Sequence, residues 1–528
     1  MKDVIMAQKQ NNTQTLLLYA VIFMLSFFLW KNWSTQHPPA AAKTQTPIQA
    51  ANQPTHLIHT SPHRQIHLRS DVLDLTIDRQ GGAIVKAELL KYNTTLKGHQ
   101  PIQILSTQPN RYFVAESGLA DQKPLIFSTA LTPSNAQQPH ATQQLTLTAR
   151  TAQGVQITKT YTLYPHRYDV LLQHMIHNHS NQPWQGQFFL RLTQKKPETE
   201  SLGFGQLRTY QGLAYYTEKK PYSKLPFDDL NDSHLVRTVT GGWIASQQHY
   251  FITAWIPPKH QTQQLNAERS IHDPNYYQIS TTSTLKTVQP DQSYQLSHQL
   301  YIGPEHAHTL GQLAPGLELT IDYGWLWFIS DGLYWLLSHI HAFVGNWGIS
   351  IILLTLFIKL LFYRLSESSF KSMAKMKKLQ PKIEALKSKH GDDREAMGHA
   401  MMALYKKEQV NPVGGCLPML IQIPFFIALY WVLMESVELR HAPFFGWIQD
   451  LSTKDPYYIL PIIMGITMFI QQRLGPQNAD PVQARMMLAL PVIFTAMFLS
   501  FPAGLVLYWL TNNLLSIAQQ WYCTRKYQ

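Results

Sequence analysis

Cysteine is nearly missing from this chain: there are two in 528 residues, Cys416 and Cys523. Neither falls in the long polar stretch that ends near residue 325, so that stretch holds no disulfide even if it is exported. With no histidine close by in sequence, both read as small buried hydrophobes rather than catalytic thiols. Catalytic signatures are missing as well. No phosphate-binding loop, nucleophile elbow, HExxH helix or dinucleotide fingerprint occurs, so nucleotide-driven work, a cofactor and enzymatic chemistry are not expected. Acidic residues are few, 32 against 44 Lys and Arg, and none lies at the centre of the apolar runs; Glu435 and Glu438 sit at one end. A secondary transporter predicts a coupling carboxylate at mid-membrane and a repeat-related pair of broken helices, and neither is evident. The net charge of +12 comes without aromatic–basic interleaving or a nucleic-acid fold signature. No sequence-specific nucleic-acid partner is expected.

What the chain has is apolar runs at its two ends. One covers Thr15–Trp33, with Trp30 and Trp33 at its exit. An uncleaved anchor with an interfacial aromatic belt and a cleaved signal peptide are the two readings of it. Residues 34–55, rich in Pro, Ala, Gln and Thr, read as a flexible linker. Five further runs follow, at 344–363, 417–436, 458–472, 486–501 and 503–521. The first spans about 30 Å as a helix, the thickness of a bilayer core. Those at 458–472 and 486–501 reach only about 22–24 Å and would thin the bilayer locally. Residues 364–412 carry 11 Lys and Arg against 6 Asp and Glu, read as a helical hairpin, and mark the cytoplasmic side. The loop at 438–457, with Arg440 and Lys454 against Glu438, Asp450 and Asp455, suits the outside, and Arg525-Lys526 suits the inside. Six spans with both termini inside result.

Between the ends, residues 34–325 carry 23 Lys and Arg against 19 Asp and Glu, and residues 56–325 show a period of two. Val72–Asp78 alternates and then meets Gly81-Gly82; Gln144–Ala149 and Val155–Tyr164 alternate likewise. Such strands, broken by Gly, Pro and Asn, predict an all-β sandwich. A sugar-binding role, or an envelope enzyme carried by the sandwich, is the open alternative for this domain. Residues 326–343, aromatic and amphipathic, predict a helix lying at the outer interface.

The most telling single residue is Lys359, in the middle of the run 344–363. A central charge costs at least about 2.5–3.5 kcal/mol on insertion scales, so it needs water or a partner. Five residues separate it from Arg364, and a snorkelling side chain reaches headgroups from there. The other reading is functional. Thr355, Lys359 and Tyr363 share one helical face, and Tyr508, Asn512, Ser516 and Gln519/Gln520 repeat at the same spacing in the last run. Trp509 and Asn513 flank them, and Gln422 precedes Pro424 in the third run. These polar side chains must face protein or water; helix–helix hydrogen bonding is the bland account of them. Among 23 histidines, His177 and His179 share a strand face, but with no completing ligand they read as solvent-exposed rather than as a metal site.

Eight stretches in this order give the chain a resemblance to a family: Gly241–Pro257, Asp322–Ser330, Phe343–Gly348, Met373–Met376, Leu379–Ile383, Asn411–Pro418, Asp455–Pro461 and Phe501–Tyr508. Over nearly its whole length the chain resembles the YidC-type membrane-protein insertases of Gram-negative bacteria, in the Oxa superfamily. The resemblance implies a periplasmic β-supersandwich, a polytopic α-helical membrane domain and a mobile cytoplasmic hairpin. It also implies a hydrophilic groove open to cytoplasm and lipid, and localisation in the inner membrane. Nascent membrane proteins, the ribosome, Sec translocon subunits and membrane lipids are the partners it implies. Groove positions matching the family are Thr355, Lys359, Gln422, Pro424, Tyr508 and Trp509. The family's groove normally carries arginine where this chain has Lys359, and often proline where it has Arg364. Lysine keeps a cationic groove but not arginine's planar fork of donors.

Overall fold

The computed structural model describes residues 58, 60–120, 122–129, 140–197, 209–270, 273–390, 393–408, 410, 417–475 and 481–527. The anchor expected at 15–33, the linker 34–55 and Cys416 lie outside these residues.

Alternating side chains in the polar half build two large antiparallel sheets. The first runs Gln65–Arg69, Leu73–Asp78, Ala83–Asn93, Phe113–Leu119, Phe188–Lys195, Tyr276–Ser283, Thr262–Arg269, Leu235–Thr240, with Pro101–Leu105 on Ala83–Asn93. The second runs Lys220–Leu225, Gln211–Thr217, Ile244–Gln248, Phe251–Ile256, Ser293–Pro304, Asp169–Asn178, Val155–Leu163, Gln143–Arg150, Ser128–Thr129. Leu75, Ile77, Leu192 and Ile279 from the first sheet join Leu147, Ile157, Leu172 and Leu300 from the second in one core. The turn expected at Gly81-Gly82 is present, with φ of +78° and +70°, a region that glycine enters without penalty.

The second sheet is covered on its other face too. Trp243, Ala245, Ile252, Ala254 and Tyr301 belong to a second core, shared with the helical half of the chain. Phe251–Ile256 is therefore buried at every position, where a half-exposed strand alternates.

The helices are α1 (Ala307–Leu313), α2 (Trp327–Val344), α3 (Trp347–Leu361), α4 (Tyr363–His390), α5 (Arg394–Lys407), α6 (Leu417–Glu435), α7 (Ile459–Leu474), α8 (Pro481–Phe498) and α9 (Ala503–Tyr527). Helix α2 leaves Trp327, Phe328, Trp335 and Phe343 exposed. Polar contacts tie the helices to the sandwich. Arg440 donates to the carbonyls of Asn93 and Thr94 at 2.6 and 3.3 Å. Glu438 accepts from Tyr334 at 2.6 Å and pairs with His306 Nδ1 at 3.0 Å.

The run 344–363 is not one straight helix. Asn346 caps α3 by accepting from the Ile349 amide, the helix stops at Leu361, and the chain bends by 68° into α4. The Phe362 ring meets Phe425 edge-on, 5.1 Å away, and Gln519 Nε2 donates to the Tyr363 carbonyl at 3.2 Å, so neighbouring helices hold the break. Among the described residues no single helix is long and apolar enough to cross a membrane; the bent pair α3–α4 is, taken together. Shorter apolar helices are Ile421–Glu435, Ile459–Leu474 and Met487–Phe498.

Close packing at the start of α3 gives a direct prediction. A Cβ on Gly348 falls 2.1 Å from Phe444 Cδ2, inside any permissible contact. Gly348→Ala should therefore cost about 1–3 kcal/mol by overpacking, seen as a lower melting temperature of the purified chain.

Candidate functional site

Lys359 sits two residues before the end of α3, and α6 and α9 close around its ammonium. Nζ donates to Ser516 Oγ at 2.8 Å and, more weakly, to Gln422 Oε1 at 3.4 Å. Gln422 Nε2 donates in turn to Asn512 Oδ1, and the Ser516 hydroxyl donates to the Asn512 carbonyl at 2.7 Å. Asn512 and Ser516 lie four residues apart on α9, which puts both on the face towards α3. Three helices are thus joined through one cation and three neutral side chains. Among the described residues no carboxylate lies within ion-pair distance of Lys359. Glu367, the nearest acid along the chain, pairs with Lys526 at 3.2 Å and accepts from Tyr527 at 2.9 Å.

A recess opens beside the ammonium, lined by Ile358, Lys359, Phe362, Leu365, Ser366, Ile421 and Gln422. Its walls are apolar apart from Lys359, Gln422 and Ser366. Such a surface offers an extended apolar segment contact on its sides and one positive charge with amide and hydroxyl partners. Ser366 lies on α4, beyond the 68° bend, and it is the bend that brings it to the same recess as Lys359.

Residues 65–336 match the family described as YidC periplasmic domain, and residues 339–528 the family described as 60Kd inner membrane protein. A relative from Coxiella burnetii, named membrane protein insertase YidC, is 44% identical over 97% of this chain and 96% of its own length. The chain belongs to the YidC family. A relative of the same name from Azotobacter vinelandii is 46% identical over 93% of this chain and 88% of its own length. A solved structure described as an active YidC insertase with its first transmembrane domain resolved covers 89% of this chain and 94% of its own. It is 18% identical, with a TM-score of 0.41.

Of the candidate groove positions expected from the sequence, only some meet at the lysine. Lys359 and Gln422 do, together with Asn512 and Ser516. Thr355 does not: it is buried, and its hydroxyl donates to the Ile351 carbonyl of its own helix at 2.6 Å. That back-bond satisfies a threonine in a helix without any partner helix. Pro424 sits within α6, half-buried, two residues after Gln422. Tyr508 is buried with its ring stacked on Phe426 at 6.2 Å, and its hydroxyl lacks a hydrogen bond of normal geometry. Trp509 packs among Phe426, Phe494 and Phe498, at 4.5, 6.0 and 5.3 Å between ring centres. Asn513 faces the other way, donating to Thr467 on α7 at 3.2 Å. The last helix therefore splits its polar residues between the lysine and a structural contact. Cys523 is buried on α9, and in the sandwich the His177 and His179 rings lie 3.9 Å apart with His177 Nδ1 2.6 Å from Ser293 Oγ.

Proposed function

We propose that this protein inserts nascent membrane proteins into the bacterial inner membrane and assists their folding, alone or together with the Sec translocon. Curated relatives matched over 97% of the chain carry the name membrane protein insertase. The reading places six spans in the bilayer with both termini in the cytoplasm, and the β-sandwich in the periplasm. Insertion makes and breaks no covalent bond, so it asks for binding surfaces rather than catalytic groups.

The observation that carries the mechanism is a lysine held by neutral partners beside an apolar recess. A hydrophilic, often acidic, segment of the incoming chain enters from the cytoplasm and is held near Lys359. Gln422, Asn512 and Ser516 exchange their hydrogen bonds among themselves for bonds to that segment. Thr355, Pro424, Tyr508 and Trp509 shape the helices that carry these groups. The apolar segment then passes over Ile358, Phe362 and Ile421 into lipid, and its burial, at about 25 cal/mol per Å², drives the net process. The basic hairpin of α4 and α5 receives the substrate or the ribosome.

Photocrosslinking tests the path. A photoreactive side chain at Phe362 or Ile421 of the full-length protein should capture a ribosome-stalled membrane protein. The same group at Leu429, fully buried on α6, should not. Capture at neither lining position, or equal capture at all three, overturns the reading.

A further inference from the structure

We propose that Asp71, His140 and His166 form a binding site for one divalent transition-metal ion of the zinc class. The three residues come from separate parts of one edge of the sandwich. Asp71 lies in the turn between Gln65–Arg69 and Leu73–Asp78, His166 in the turn between Val155–Leu163 and Asp169–Asn178, and His140 just before Gln143–Arg150. Yet one ligand atom from each lies within 4.8 Å of the others. Two imidazoles and a carboxylate are a borderline-soft donor set that suits zinc and its neighbours. Three protein donors leave a fourth position for water or for a donor from another molecule.

The carboxylate is prepared for a cation. Its side chain is only 4% exposed, unlike the two exposed histidines, which are free to turn towards it. Oδ1 accepts from the His166 backbone amide at 2.9 Å, which fixes the plane of the group. Oδ2 is buried and receives no hydrogen bond, although His166 Nδ1 stands 2.5 Å away. The imidazole nitrogen and Oδ2 thus face one another, and a small rotation of the exposed His166 ring opens room for one cation between them. His166 itself sits at φ +60°, a left-handed conformation uncommon for a histidine, so the turn presents this side chain at a backbone cost. The nearest cation does not oppose a metal: Arg167 is bound at both ends to Asp169, at 2.7 Å each. Neither His177 nor His179 takes part; that pair belongs to the other end of the strand Asp169–Asn178 and has no carboxylate between its rings.

The test uses the full-length protein in detergent, stripped with a chelator and titrated with zinc chloride against a competing zinc-responsive dye. One zinc per chain is expected. His140→Gln, Asp71→Asn and His166→Asn should each weaken binding at least tenfold. His177→Gln should leave it unchanged. Asparagine suits position 166 because it tolerates the left-handed backbone. His140 is an exposed side chain, so His140→Gln carries the test even if Asp71→Asn does not fold. Cobalt(II) should give the visible absorption of a low-coordinate nitrogen–oxygen site in wild type and lose it in His140→Gln. Failure of the wild type to hold zinc, or wild-type affinity in His140→Gln, overturns the proposal.

Discussion

Lys359→Glu should stop insertion of a short translocated tail that carries acidic residues, while Lys359→Arg should retain it. A unit charge 4 Å from its partner is worth about 1 kcal/mol in bulk water and about 4 kcal/mol at an effective dielectric of 20. A recess open on one side lies between these limits. Removing the charge in Lys359→Ala forfeits that attraction, and reversing it in Lys359→Glu roughly doubles the change. The expected order is therefore Lys and Arg well above Ala, and Ala above Glu, with about tenfold for each 1.4 kcal/mol. The structure adds why Arg is tolerated: Ser516 Oγ and Gln422 Oε1 are both acceptors towards the present ammonium, and a guanidinium can donate to two acceptors at once. The measurement is complementation of depleted cells, read as protease accessibility of the tail. A second tail with its acidic residues made neutral separates charge capture from misfolding. Lys359→Glu should insert that tail nearly as well as wild type does. Equal insertion of the acidic tail by all four proteins would remove charge from the mechanism.

The same lysine shows how far the sequence reached. Spacing of four on a helix was enough to pair Asn512 with Ser516, because helix geometry alone decides which side chains share a face. It was not enough for Thr355, which shares the face of Lys359 but closes a bond to its own backbone, a choice made by local geometry that polarity cannot reveal. The bend after Leu361 was hidden for a different reason. The apolar pattern runs on through Leu360, Leu361 and Phe362, and the break is held by Phe425 and Gln519 from helices distant in sequence. In the sandwich, Leu73–Asp78 and Val155–Leu163 were legible because apolar and polar side chains alternate, although Thr76 and Asp78 on the polar face are themselves buried. Phe251–Ile256 carried no such alternation, because helices cover the face that water would otherwise wet. The Asp71, His140 and His166 cluster was out of reach altogether, since only the pairing of strands brings those three turns together.

Two histidines buried between the sheets of the β-sandwich should each make acid destabilising, an effect that His298→Leu isolates. Lys159, His174 and His298 come from three adjacent strands of the second sheet, with Lys159 directly across from His174. Lys159 is satisfied: Nζ donates to the carbonyls of Gly81 and Ser117 at 2.7 and 2.6 Å and to Ser117 Oγ at 3.1 Å. The histidines are not. Both ring nitrogens of His298 and Nδ1 of His174 are buried without partners, and His174 Nε2 has only Ser117 Oγ, 3.3 Å away. Glu116, next to Ser117 on the first sheet, is on the other face of its strand and is taken by Arg191 through two contacts of 2.9 Å. Burial, with the Lys159 charge adding to it, pushes His298 down to about 3 and His174 well below its ordinary 6.5. The unfolded chain therefore binds these protons near pH 6.5, and the folded chain refuses them until far lower. Stability is full above 6.5 and falls as pH drops from 6.5 towards 3, by roughly 1.4 kcal/mol per pH unit for each histidine. Lys159, held down to about 7 by burial, loses its share between 10.5 and 7 and so adds nothing to the acid limb. The measurement is the difference between wild type and His298→Leu in urea unfolding of the β-sheet signal at pH 7.5 and 4.5, in which every other group cancels; it should change by about 2–3 kcal/mol between the two pH values. His298→Leu fills the site with an apolar side chain and removes one proton acceptor of the unfolded chain. It should unfold at higher urea than wild type at pH 4.5, with a pH slope that differs from the wild-type slope by about 1.4 kcal/mol per unit below 6.5. An unchanged slope in His298→Leu would move the acid sensitivity to surface carboxylates. The opposite burial effect, at Glu305, offsets the histidines in wild type and is unchanged in His298→Leu, so the difference between the two proteins reports His298 alone. Its carboxyl is raised to about 8, so the folded chain takes up that proton more readily than the unfolded chain, and acid stabilises the fold through it.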